Sequence, residues 1–203
     1  MPYNKQGNWY NSSGGEVLNS YPRRLSNNFF QKYLKNVNTA LEIGGTEDPL
    51  VDWAEHYDQH HFKNTNIDAT YCKELESEKY DLVHASHVLE HIANCYLGLK
   101  NWFRLVKKGG LLIFTVPHVD LYERKTELPS EGNGDHKFFI HDSEERLPFT
   151  INLKHLIESA FSTYDYEVLE YNICENSEVD NRLTKWPTHP TPEYQIEVII
   201  RRN

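Results

Sequence analysis

The chain is poor in cysteine: Cys72, Cys95 and Cys174 are the three among 203 residues, far apart and with no C-x-x-C pair. This excludes a disulfide framework and a cysteine zinc site. No apolar run approaches the roughly 18–20 residues of a membrane span, and the best one, Leu111–Val116, is short. The segment Met1-Pro2-Tyr3-Asn4-Lys5 has no apolar leader core, so a cytoplasmic protein is expected. Positive charge is scarce too: 21 Lys and Arg stand against 30 Asp and Glu, for a net charge of −9. A protein that binds nucleic acid by neutralising phosphates is not built this way. Arg23, Arg24, Arg201 and Arg202 are too few to make a basic patch. The G-x-G-x-x-G fingerprint of dinucleotide sites is also missing.

What is present argues for a packed core. Aromatics make up 13% of the chain, against disorder, and the length suits one domain of ordinary size. Residues 1–25, rich in Asn, Gly, Ser and Tyr, read as an irregular arm, and 26–203 as a single domain. Ser26 is expected to cap a helix whose apolar face is Phe29, Phe30, Tyr33, Leu34 and Val37. Short strands are expected at 39–43, 53–57, around Asn66-Ile67, at 80–85 and at 111–116. A helix from Asn94 carries Leu99, Trp102, Phe103 and Val106 on one face, with Lys107 and Lys108 at its end and Gly109-Gly110 as its stop. Thr150 opens a last helix, and strands at 166–171 and 194–200 close the chain. Between strand and helix lies a long connection, 118–149, of the kind that covers a substrate. Alternating strands and helices give a parallel α/β sheet covered on both faces. Ligands of such sheets bind beyond the carboxyl ends of the strands, so the residues following each strand are the ones to read.

After the first strand comes Glu42-Ile43-Gly44-Gly45-Thr46-Glu47-Asp48. The glycines allow close approach to the backbone. Glu47 and Asp48 repel a pyrophosphate, so a phosphate-free ligand with positive charge fits better. Asp58 after the second strand is placed to take ribose hydroxyls, and Asp68 after the third to accept from an adenine amino group. After the fourth strand stands Ser86-His87-Val88-Leu89-Glu90-His91.

The run Tyr80-Asp81-Leu82-Val83-His84-Ala85-Ser86-His87-Val88-Leu89-Glu90-His91-Ile92 resembles the fourth-strand motif of class I S-adenosylmethionine-dependent methyltransferases. Leu41-Glu42-Ile43-Gly44-Gly45 is similar to their first motif, and Lys107-Lys108-Gly109-Gly110-Leu111-Leu112-Ile113 to the segment before their fifth strand. Asp120-Leu121-Tyr122-Glu123 and Asn133-Gly134-Asp135-His136-Lys137 resemble a subgroup that tailors surface saccharides and other small molecules. The resemblance spans about residues 26–200. It implies a Rossmann-like seven-stranded sheet with helices on both faces and the last strand antiparallel. It implies S-adenosylmethionine as cofactor, with Glu42, Gly44, Gly45, Thr46, Asp58, Asp68, Ala69, Ala85 and Ser86 around it. It also implies methyl transfer to a small polar acceptor, foremost a hydroxyl of a sugar or related metabolite. Thr46 stands where the family pattern places its second glycine. That departure motivates an alternative, a cofactor-binding protein of the same fold without catalysis.

There are eleven histidines, and they do not form a tag-like run. A hydroxyl acceptor benefits from a base that takes its proton, and histidine titrates in the right range. His84, His118 and His136 fall in the expected mouths of the sheet, and the candidates rank His87 and His136, then His91 and His118. Tyr122, Arg124, Asp135, His136 and Lys137, on the covering connection, are candidates to bind the acceptor. Arg124 or Lys137 would meet an anionic group on it. His87-Val88-Leu89-Glu90-His91 also spells H-x-x-E-H, which on a helix would present two imidazoles to one zinc ion, with Glu158 as the best downstream carboxylate. The methyltransferase reading accounts for far more of the chain, and no metal is expected. No nucleic acid partner and no membrane span are expected, and the sequence leaves the oligomeric state open.

Overall fold

The computed structural model describes residues 3–8, 16–44, 48–58, 68–130, 133–175 and 193–203. Six strands form one sheet: β1 (Ala40–Ile43), β2 (Glu55–Tyr57), β3 (Tyr80–Ser86), β4 (Val106–Pro117), β7 (Tyr166–Glu175) and β8 (Tyr194–Arg202). Two more, β5 (Phe139–His141) and β6 (Thr150–Asn152), pair separately. The spatial order in the sheet is β2-β1-β3-β4-β8-β7. The strands β2, β1, β3 and β4 run parallel, and β8 is antiparallel to both of its neighbours. This is the expected Rossmann-like architecture. The third expected strand, around Asn66-Ile67, lies outside the described residues.

Strand residues point alternately to the two faces, so apolar strands feed two cores. On one face Leu41, Ile43, Val83, Ala85, Leu112, Phe114, Val198 and Ile200 pack with the helices α3 (Cys95–Leu105) and α4 (Leu153–Phe161). Trp102 is fully buried there, and the rings of Phe103 and Phe161 stack at 4.3 Å. On the other face Ala40, Leu82, Leu111, Ile113 and Ile199 meet Tyr3, Phe29, Phe30, Leu34 and Val37 from the N-terminal part of the chain.

That N-terminal part differs from an irregular arm. It holds two short helices, α1 (Glu16–Asn19) and α2 (Tyr21–Ser26), followed by a π-helical turn at Phe30–Leu34. Ser26 ends α2 instead of capping a new helix; its hydroxyl donates back to the Arg23 carbonyl. Arg24 and Glu197 are both fully buried and bond at 2.6 and 2.9 Å, while Arg23 bonds Glu193 and Glu197. These pairs anchor α2 to β8.

Helix α3 starts where expected: the Asn94 side chain accepts from the Leu97 amide, a cap worth about 1 kcal/mol. It stops earlier than expected, at Leu105, because Val106 already pairs with Tyr80 in the sheet. Lys107-Lys108-Gly109-Gly110 is instead an irregularity inside β4. An added Cβ at Gly110 would lie 2.9 Å from the Asp81 carbonyl oxygen, and Lys107 Nζ bonds Asp81 at 2.9 Å. Thr150 likewise belongs to β6, and Asn152 caps α4 by accepting from the His155 amide.

Candidate active site

The carboxyl ends of β1 to β4 and the amino end of β8 share one edge of the sheet, since Pro117 is the register partner of Gln195. Behind this edge Glu42 and His84 sit side by side on β1 and β3, as register partners 1% exposed. Nδ1 of His84 lies 2.7 Å from the Glu42 carboxylate, whose other oxygen accepts from the Leu50 amide at 3.0 Å. Glu42 therefore fastens the far end of the turn that begins at Gly44. His84, expected in the mouth, is instead a buried partner of Glu42 inside the sheet.

Gly44 has φ +77°, a left-handed conformation that side chains rarely take, and an added Cβ would lie 2.5 Å from Val88 Cγ2. The bare glycine thus lets the turns after β1 and β3 close on each other. Gly45 and Thr46 lie outside the described residues. Asp58 directly follows β2, as expected. Asp68 starts a turn, its carboxylate accepting from the Thr70 amide at 2.8 Å. The Ala69 carbonyl accepts from Trp102 Nε1 at 2.8 Å. Tyr57, Asp68, Tyr71, Lys73 and Glu74 line a cavity of about 170 Å³. It is smaller than the roughly 300–1,000 Å³ of a whole-ligand pocket. Its tyrosines and the Asp68 and Glu74 carboxylates, beside Lys73, are chemistry that suits the nucleoside of S-adenosylmethionine; of the two acids expected to hold that nucleoside, Asp68 is in this lining.

At the end of β3, Ala85 is buried in the core and Ser86 Oγ pairs with Thr115 Oγ1 at 2.9 Å. His87 then adopts φ +53°, and its amide donates to the Thr115 carbonyl. The backbone turn takes His87 off the line of any helix, and residues 89–91 form a single 3₁₀ turn. His87 and His91 therefore do not share a helical face as an H-x-x-E-H zinc peptidase requires. Glu90 is 1% exposed, and neither carboxylate oxygen receives a hydrogen bond. Its nearest imidazole neighbours are His87 Nδ1 at 3.5 Å and His91 Nε2 at 3.9 Å. Burial would push this carboxyl up, but His87 and then His91 outweigh it and hold it below the ordinary range.

The covering connection is tied to this turn by its backbone. The Lys137 amide donates to the Glu90 carbonyl at 2.8 Å. That bond sets His136 edge-on to His91, their ring centroids 4.8 Å apart. Behind His136 stands Glu123, 2.5 Å from Nδ1 and 2% exposed, which also accepts from the Ser130 hydroxyl. Tyr122 stacks over His136 at 6.2 Å, and Asp135 reaches His91 Nδ1 at 2.8 Å. The structure thus brings together His87, His91, His136, Tyr122 and Asp135. The side chains of Arg124 and Lys137 are exposed at its rim.

His118 belongs to a second group. Its Nδ1 accepts from the Asp120 amide and its Nε2 lies 3.2 Å from Asp142. His141 is buried beside it, with Nδ1 accepting from the Ser143 and Glu144 amides. Asp120 is taken by Arg146 in a two-point bond.

Glu123 and Gln195 were not among the residues singled out, and Glu90 only as a letter of its motif. Glu90 and Glu123 carried a signal, each an acid close to a candidate histidine. Gln195 had none, since its link to His87 spans two strands distant in sequence.

Residues 16–187 match the family model described as a methyltransferase domain. The chain belongs to this family: it is a methyltransferase, with S-adenosylmethionine as its cofactor. No curated protein matches it. Among solved structures it is similar to an S-adenosylmethionine-dependent methyltransferase of Mesorhizobium loti, with TM-score 0.53 and 10% identity over 91% of this chain and 98% of that one. One of Methanosarcina mazei gives TM-score 0.53 and 11% identity over 86% and 96% of the two chains. One of Archaeoglobus fulgidus gives 0.51 and 15% over 92% and 94%. At these identities the likeness is one of fold. Among the described residues no helix is long and apolar enough to cross a membrane.

Proposed function

We propose that the protein transfers a methyl group to a hydroxyl of a small polar acceptor, a sugar or related metabolite, in saccharide tailoring in the cytoplasm. The observation that carries this reading is the cluster of His87, His91 and His136 at the mouth of the sheet, beside the Gly44 turn. The cofactor supplies an electrophilic methyl on a sulfonium. Glu42, through its hold on the Leu50 amide, sets the turn that begins at Gly44. Asp58 and Asp68 meet the hydroxyls and the base of the nucleoside. The acceptor oxygen must be held in line and lose a proton as it becomes an ether. His87 takes that proton. Tyr122 and Asp135 position the acceptor, and Arg124 and Lys137 receive an anionic group where it carries one. The three cysteines, free in the structure, suit a reducing compartment.

Calorimetric titration with S-adenosylhomocysteine tests the cofactor part, and transfer of a labelled methyl group to a panel of sugars, sugar phosphates, polyols and amines tests the acceptor. Binding with transfer to hydroxyls is expected. Transfer to amines alone would overturn the acceptor class. Binding without any transfer would leave the non-catalytic alternative that Thr46 suggests.

A further inference from the structure

We propose that Glu90, His91 and His136 bind one divalent transition-metal ion, zinc or a neighbour of similar ligand preference, and that Glu123 holds the His136 imidazole for it. The three side chains offer two imidazole nitrogens and a carboxylate oxygen, all within 4.8 Å of one another. Two histidines and one carboxylate are a donor set that zinc, iron and their neighbours accept, and it leaves positions open for other ligands.

Three features separate this group from a chance meeting of polar residues. The first is Glu90. Its carboxylate is 1% exposed, and the His87 and His91 imidazoles that offset its charge stand 3.5 and 3.9 Å away with neither oxygen hydrogen-bonded, which leaves both oxygens to ligate. The second is the pairing behind the ligands. His136 Nδ1 faces the Glu123 carboxylate at 2.5 Å, and His91 Nδ1 faces Asp135 at 2.8 Å. In His136 this hydrogen bond leaves Nε2 to ligate, and a carboxylate behind the imidazole is the arrangement that orients metal-bound histidine; Asp135 lies close to His91 Nδ1 but is not aligned to accept from it. The third is the backbone bond from Lys137 to Glu90, which fixes the covering connection over the turn and so sets the spacing of the three ligands. Ligands at about 2.0–2.2 Å from one ion lie closer together than this group does, so it must contract by roughly 1 Å. His91, 34% exposed, has the room to swing inward.

The second histidine group lacks these features. Among the described residues His118 and His141 spend Nδ1 on backbone amides, while His118 Nε2 faces Asp142 and His141 Nε2 faces Asp120, each at 3.2 Å. It is a hydrogen-bonded clasp. An ion on Glu90, His91 and His136 would face the mouth of the sheet, where its open positions could take the acceptor's oxygens and favour loss of the hydroxyl proton. That role rests on the proposed methyl transfer; the site itself does not.

The test uses the full chain, stripped with a chelator and titrated separately with Zn²⁺ and Co²⁺, and S-adenosylhomocysteine binding is measured on the same samples. One equivalent of metal is expected, with a cobalt absorption band in the visible. His91→Ala and Glu90→Gln should each weaken binding at least 100-fold, and Glu123→Gln by about 10–100-fold. His141→Ala should bind as the parent does. S-adenosylhomocysteine affinity should stay the same in all four, which shows that they fold. His91 is partly exposed, so His91→Ala decides even where Glu90→Gln does not fold. No metal binding by the parent chain, or undiminished binding in His91→Ala, overturns the site. Failure of the parent to bind S-adenosylhomocysteine would overturn the proposed function and leave the metal result standing.

Discussion

His87 Nε2 and the side-chain oxygen of Gln195 lie 2.8 Å apart and join the turn after β3 to the start of β8. The amide nitrogen of Gln195 donates to Ser20 Oγ at 2.7 Å and to Glu193 at 2.9 Å, so its oxygen is the atom that faces His87. His87 must then carry a proton on Nε2, and its Nδ1 faces the Glu90 carboxylate at 3.5 Å. Asn tolerates the left-handed backbone found at residue 87 better than most residues. His87→Asn should therefore keep the turn and remove the base. Methyl transfer should fall by about 10²–10⁴-fold while S-adenosylhomocysteine affinity holds. An active His87→Asn would assign the proton to another group.

Gly44→Ala combines a strained backbone with a collision against Val88. The expected loss in urea unfolding is about 1–3 kcal/mol, with cofactor binding weakened as the turn shifts. Adding Val88→Ala relieves the collision but not the φ strain, so the double variant should recover only part of the loss. Full recovery would mean that contact alone matters at this position.

Glu197 gives the stability a dependence on acid. Burial would raise its carboxyl, but Arg24 and Arg23 outweigh burial and bring it from 4.5 to about 2. A carboxyl lowered in the folded state stabilises fully above its unfolded value, and that contribution fades as pH falls toward the folded one. Unfolding midpoints should drop as pH is lowered from about 5 to about 2, and Glu197→Gln should flatten that slope. Near neutral pH the same substitution strands the Arg24 charge in the core, at a cost of about 3–5 kcal/mol.

The thiols should separate by reactivity. Burial pushes Cys72 and Cys174 up to about 12, and both are buried. Cys95 is raised by burial as well but is only half-buried. A thiol reagent at mildly alkaline pH should label Cys95 alone in the folded protein, and all three after denaturation. Fast labelling of Cys72 in native buffer would contradict the packing under α3.

The parallel strands were legible because Leu82 and Val83 are apolar on both faces of β3, and Asn94 announced α3 by a local cap. Misreadings arose where tertiary pairing overrode local signals. Lys107-Lys108-Gly109-Gly110 has every mark of a helix end, yet Val106 has already joined the sheet opposite Tyr80. Ser26 looks like a cap, but its hydroxyl turns back to Arg23. In the site, His87, His91 and His136 could be picked by position after a strand or in the long connection. His84 could not be judged that way: one residue earlier in the strand, its side chain meets Glu42 instead of the mouth. Arg24 with Glu197, and His87 with Gln195, are partners that no local pattern could pair.

The Arg24–Glu197 bond joins positions 173 residues apart, between the first full helix and the last strand. Neither charge tolerates burial alone, so α2 cannot seat before β8 arrives, nor can β8 seat without α2. Assembly of the sheet is therefore gated by its slowest, most distant contact. An intermediate that lacks β8 leaves the Phe29–Leu34 side uncovered, and the chain should commit to its native state in one late, concerted closure.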